Sequence, residues 1–132
     1  TSLFTHSTRH SLKLPQAAAG VARASFSDLC AQAYGASDYL ALAQDFHTLV
    51  LDDIPVMDET RRNEAKRFIT LIDALYDGHV RIIVSAAAEP DDLYRAETGT
   101  EAFEFARTAS RLTEMRSRDY QQSGHKGFIA ET

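Results

Sequence analysis

His47-Thr48-Leu49-Val50-Leu51-Asp52-Asp53-Ile54-Pro55-Val56 is an apolar run that ends in two acids. An amphipathic helix is predicted next, from about Asp58 to Asp77. It carries Ala65, Phe68, Ile69, Ile72, Leu75 and Tyr76 on one face, with Gly78 closing its end. A second apolar run, Val80-Arg81-Ile82-Ile83-Val84-Ser85-Ala86, stops at Ala87-Ala88-Glu89-Pro90. Strand, helix and strand with short joints make a βαβ unit, and such units build parallel sheets covered by helices. Both runs are apolar on consecutive positions, which predicts strands buried on both faces.

On the N-terminal side, Leu12-Lys13-Leu14 and Val21-Ala22-Arg23-Ala24-Ser25-Phe26 predict two short strands paired like a hairpin, with Pro15 and Gly20 at the joint. Asp28 to Gln32 reads as one or two helical turns. Ser37 is the expected N-cap of a helix through Phe46, with Tyr39, Leu42, Ala43 and Phe46 on its apolar stripe. On the C-terminal side a last helix is predicted from about Thr100 to Arg118. Phe105, Thr108, Ala109, Leu112 and Met115 face the core, and Glu104, Arg107, Arg111, Glu114 and Arg118 run along another face. The expectation is one α/β domain over residues 1–132: a small mixed sheet with a central parallel βαβ unit covered by helices. Residues 1–9 and 121–132 are expected to be loose, because neither stretch has an apolar period.

Apolar content of 44% and charged content of 25% are those of an ordinary globular domain, and 132 residues suffice for a real core. No apolar run approaches the roughly 20 residues a membrane-spanning helix needs. The chain starts at Thr1 and shows no basic-then-apolar leader, so a piece of a longer or processed polypeptide is expected. The single Cys30 reads as a small buried residue, and the lack of any intrachain disulfide suits a reducing cytoplasm. Net charge is −5, and residues 51–104 hold thirteen acids against six bases. That acidic middle argues against a nucleic-acid partner, which would require clustered cations.

Asp52 and Asp53 are the first chemical candidates. Two acids at the carboxyl end of a strand are where P-loop enzymes handle magnesium and water. No Gly-x-x-x-x-Gly-Lys-Ser/Thr loop exists here to cradle phosphates, so the residues favour a plain strand end. Arg107 and Arg111, four apart on one side of a helix, form the second candidate pair: they could reach nucleotide or a neighbouring domain, or simply belong to a solvated face of mixed sign. Arg61, Arg62, Lys66 and Arg67, with Glu59 and Glu64, read as a solvated face. Asp73 lies off the apolar stripe and need not be buried. The five histidines lack metal-ligand spacing, and no metal site is expected. A third reading places a small ligand at the carboxyl edge of the parallel pair, near Asp53 and Ser85.

An ordered succession of blocks carries a family resemblance. It runs through Ala36-Ser37-Asp38-Tyr39-Leu40-Ala41-Leu42-Ala43, Phe46-His47-Thr48, Asp53-Ile54-Pro55-Val56-Met57, and Arg62 to Tyr76. Val84-Ser85-Ala86, Leu93-Tyr94, Phe103-Glu104-Phe105, Arg107-Thr108, Ser110-Arg111-Leu112, Glu114-Met115 and Asp119-Tyr120 complete it. These residues resemble the carboxyl-terminal third of the ZapE-like, AFG-type P-loop ATPases, over about residues 12–120. The resemblance implies a C-terminal accessory domain of an ATPase that couples ATP hydrolysis to remodelling of a protein partner, in bacteria around cell division. It implies ATP and magnesium for the parent and neither for this chain. It also implies an upstream P-loop domain as partner, the division machinery as a possible second one, and a cytoplasmic location. In that family the phosphate loop, catalytic acids and first nucleotide sensor lie upstream, which leaves Asp52 and Asp53 as look-alikes. A pure interaction module that never meets nucleotide is the competing expectation.

Overall fold

A computed structural model describes residues 3–6, 11–14, 16–96 and 99–116. The strands are β1 (Leu3–His6), β2 (Ser11–Leu14), β3 (Gln16–Ala18), β4 (Val21–Ser25), β5 (Thr48–Ile54) and β6 (Arg81–Ala86). The helices are α1 (Phe26–Cys30), α2 (Ala36–Asp45), α3 (Arg62–Asp77) and α4 (Thr100–Met115). The main sheet has the order β3-β4-β5-β6. Strands β4, β5 and β6 are parallel and β3 is antiparallel at one edge. The fold is therefore α/β with a mixed sheet. The parallel βαβ unit is β5-α3-β6, with β5 interior to the sheet and β6 at its edge among the described residues.

The sheet has one well-covered face. Ala22, Leu49 and Ile82 align across it, as do Ala24, Leu51 and Val84. These side chains join the core beneath the helices, with Val84 only partly covered, whereas Val50 and Ile83 on the other face are half-buried. Burial along β5 thus alternates, contrary to the two-faced burial its apolar run suggests. The reason is that α3, with Phe68 and Leu75, packs on the Leu49 and Leu51 side. Helix α3 is buried more broadly than its single stripe: Leu71 and Ala74 are also inside, because α1, α2 and α4 all lean on it.

The hairpin forms from different partners. β3 pairs with β4 through the two-residue turn Ala19-Gly20, and β2 pairs instead with β1, a strand inside the stretch expected to be loose. Both turn residues have positive φ, 56° and 82°, the geometry that matches strand twist. A Cβ on Gly20 would lie 2.5 Å from the His47 ring, so the position needs glycine twice over. Phe26, read as a strand residue, opens α1 behind a Ser25 cap whose hydroxyl accepts from Asp28 N.

Other boundaries shift for local reasons. Helix α2 starts at Ala36, with the Asp38 carboxylate accepting from Gly35 N at 2.9 Å in place of a Ser37 cap. Asp58 does cap, but it caps a 3-10 turn over Glu59–Arg61 that precedes α3, accepting from Thr60 N at 2.9 Å. Gly78 does close α3 as its C-cap, with φ −86°, and the left-handed residue follows it at His79 (φ 55°). Gly78 also serves a close approach, since a Cβ there would meet Ala43 Cβ at 3.2 Å. Residues 117 and 118 of the predicted last helix, and the tail expected to be loose, lie outside the described residues. No helix among the described residues is long and apolar enough to cross a membrane.

Candidate functional site

Arg107 and Arg111 project from α4 onto α3, and both grip one carboxylate. Arg107 Nη2 donates to Asp73 Oδ2 at 3.2 Å, and Arg111 Nη1 donates to Asp73 Oδ1. The Arg111 guanidinium also lies 4.9 Å from the centre of the Tyr76 ring, a cation–π stack that Lys could not match in shape. Tyr76 Oη donates to Glu114 Oε1 at 2.8 Å, which raises the tyrosine's pKa. The i,i+3 spacing of Asp73 and Tyr76 on α3 faces the i,i+4,i+7 set Arg107, Arg111 and Glu114 on α4. Arg111 is only 25% exposed and is built into this clasp, whereas Arg107 keeps 55% of its side chain in solvent.

A second clasp joins the first turns of the same helices. Glu101, 6% exposed at its side chain, takes Arg62 at 3.4 Å and Lys66 at 3.3 Å from α3. Its own backbone amide first, and Lys66 next, hold its carboxyl below the ordinary glutamate value. Arg67 donates to the Cys30 carbonyl at 2.9 Å, and Arg61, in the turn before α3, pairs with Glu64 at 3.6 Å. The basic side of α3 is therefore mostly spent on neighbouring elements rather than on its own acids. Glu101 escaped the sequence reading, and Asp73 entered it only as a residue that need not be buried. The available signal was that neither has a Lys or Arg three or four residues away on its own helix.

Asp52 and Asp53 do not act together. Asp52 Oδ2 accepts from Arg23 Nε at 2.8 Å, across the parallel ladder. Asp53 sits in a bulge, where Leu51 still aligns with Val84 but Ile54 aligns with Ala86. Its φ is 63°, and its amide donates to Ser85 Oγ at 2.9 Å. The extra residue turns the strand so that Ile54 reaches the core. Nucleotide and magnesium do not fit here: one acid is already neutralised, the other is exposed on a bulge, and no phosphate cradle lies beside them.

A cavity of about 540 Å³ opens at the carboxyl end of β6, lined by Ile54, Ile82, Val84, Ser85, Leu112 and Met115 among others. Glu89 and Arg116 line it too and pair at 3.2 Å. Asp53 is not part of it. Its polar groups already answer to the protein, with Ser85 taking the Asp53 amide and Glu89 taking Arg116. Cys30 is fully buried, which pushes its thiol pKa up and leaves it inert. No three His, Cys, Asp or Glu side chains among the described residues are grouped to hold a metal.

Comparison with known proteins agrees with the resemblance. The AFG1-like ATPase family matches residues 4–124. The chain is 43% identical over 101 residues to cell division protein ZapE of Escherichia coli K12, covering 76% of this chain and 26% of that protein. It is 34% identical over 136 residues to lactation elevated protein 1 homolog B of Danio rerio, covering 80% of this chain and 27% of that one. The chain thus spans about a quarter of the length of these curated relatives. No solved structure matches it significantly. A match over nearly the whole chain, on top of the block order and the fold, means that this chain belongs to the AFG1-like ATPase family.

Proposed function

We propose that this chain is the C-terminal accessory domain of an AFG-type P-loop ATPase. The parent uses ATP and magnesium to remodel a protein partner, in bacteria within the division machinery, in the cytoplasm. The observation that carries this reading is the family match over residues 4–124 in a chain without a phosphate-binding loop. Asp52 is paired with Arg23 and Asp53 is exposed on a bulge, which supports leaving catalysis to the upstream P-loop domain, the first partner of this one. Arg107, and Arg111 behind it, are the contacts offered to nucleotide or to that domain. A guanidinium fork grips phosphate or carboxylate in two-point fashion.

Mg-ATP titrated into the isolated chain in a calorimeter should give no binding, while the full-length protein binds and hydrolyses it. Micromolar binding by the isolated chain would overturn the division of labour. Arg111→Lys in the full-length protein should lower turnover if the pair serves nucleotide. A specific observation favours a second reading, a non-catalytic interaction module: both arginines are already held by Asp73. Unchanged turnover in both Arg107→Ala and Arg111→Ala would decide for that module.

A further inference from the structure

The outward side of α4 carries a side chain that the fold does not use. Phe103 is 81% exposed, the most exposed large hydrophobic among the described residues. It is displayed from the first turns of a regular helix whose neighbours Glu101 and Phe105 are buried, so its exposure is fixed by the helix rather than by a loose loop. Arg107 stands one turn on along the same side, and the exposed small residues Ala106 and Ser110 leave room for a close approach. Only Nη2 of Arg107 is spent on Asp73, a carboxylate that Arg111 also serves. Removing Arg107 would leave that clasp with its cation, its stacked ring and the Tyr76–Glu114 bond. An aromatic anchor beside a guanidinium with donors to spare is the composition of an interface hot spot.

We infer that the Phe103–Arg107 side of α4 docks against the P-loop part of the same polypeptide, onto an apolar socket flanked by a carboxylate. The choice of occupant rests on the proposed function and on length. About three-quarters of each relative lies outside the matched segment, and a domain tethered in the same chain meets this face at high effective concentration.

The test is hydroxyl-radical footprinting of the full-length protein without nucleotide, with Leu40, the other exposed large hydrophobic at 48%, as internal reference. Phe103 should react several-fold more slowly than Leu40 after correction for intrinsic reactivity, at concentrations where the protein is monomeric. Arg107→Glu should restore its reactivity. Phe103 reacting as a freely exposed side chain would overturn the docking, and so would protection that vanishes on dilution to monomer, which would make a second copy the occupant. Protection unchanged in Arg107→Glu would remove the guanidinium from the interface. ATPase turnover measured on the same sample separates the two ideas: an inactive protein with protected Phe103 refutes the proposed function alone, and an active one with reactive Phe103 refutes the docking alone.

Discussion

The two ends of the seam between α3 and α4 solve one problem with opposite polarity. At the first turns a single acid of α4, Glu101, receives two cations of α3. Further along, a single acid of α3, Asp73, receives two cations of α4. The contacts pair early residues with early and late with late, so the two helices run side by side in the same direction. Geometry separates the two ends. Glu101 is nearly enclosed, whereas the Asp73 clasp is a third open and adds an aromatic stack. One end locks the helices together, and the other leaves a cation on show.

Between the clasps lies the packing both depend on. Phe68 is fully buried, 5.9 Å from Phe26 and 5.8 Å from Phe105 by ring centres. Phe68→Ala should be the most damaging single change, costing about 3–5 kcal/mol, with Ile72→Ala at about 2–5 kcal/mol. Chemical denaturation checks both. A loss below about 1 kcal/mol at Phe68 would mean that the ionic ends, not the rings, hold the seam. The next effect is smaller. Asp73→Ala should cost about 1 kcal/mol after allowance for solvent screening. Double-mutant cycles should assign most of that to Arg111, with coupling of about 0.5–1 kcal/mol, and little to Arg107. Equal couplings would erase the distinction between a built-in arginine and a displayed one.

How much of this was legible depends on whether the cause was local. The stripe Ala65, Phe68, Ile69, Ile72 and Leu75 showed α3 because helix period and burial coincide there. The parallel pairing of β5 and β6 followed from strand, helix and strand with short joints. The pairing of β2 did not. Leu12-Lys13-Leu14 alternates well enough, but nothing in it distinguishes β1 from β4 as neighbour, and Ala19-Gly20 is a turn only once Ala19 accepts a positive φ. Asp52 and Asp53 looked like a matched pair because sequence cannot show a bulge that sends adjacent residues to different partners. The arginines share one side of α4, but the counter-ion that holds both lies 34 residues from one and 38 from the other, beyond any helical spacing rule.

Cys30 offers a check on the core between α1 and α3. Its thiol is buried and its pKa is pushed up by that burial, with the charge of Arg67 opposing only in part. Alkylation by iodoacetamide near neutral pH should proceed only through unfolding, at a rate that follows denaturant. Prompt labelling of the native protein would show that α1 opens away from α3.

The smallest effect is a pH dependence confined to one end of the seam. The Glu101 carboxyl titrates below its ordinary value of 4.5 in the folded chain, held down by its own backbone amide and then by Lys66 and Arg62. A lowered folded value means that the ionised form is bound more favourably in the native state than in the unfolded one. Its contribution to stability is therefore complete above the unfolded value and falls away as pH drops through the folded one. Denaturation midpoints followed from about pH 6 to about pH 3 should decline for several carboxylates together, so the informative quantity is a difference. Glu101→Gln should be less stable than the parent at the upper end and converge on it at the lower end. Asp73→Asn should show no such convergence attributable to Glu101, because the two acids sit at opposite ends. If Glu101→Gln stays parallel to the parent throughout, the glutamate acts through packing and hydrogen bonding alone. Charge would then have no part in locking the first turns of the two helices.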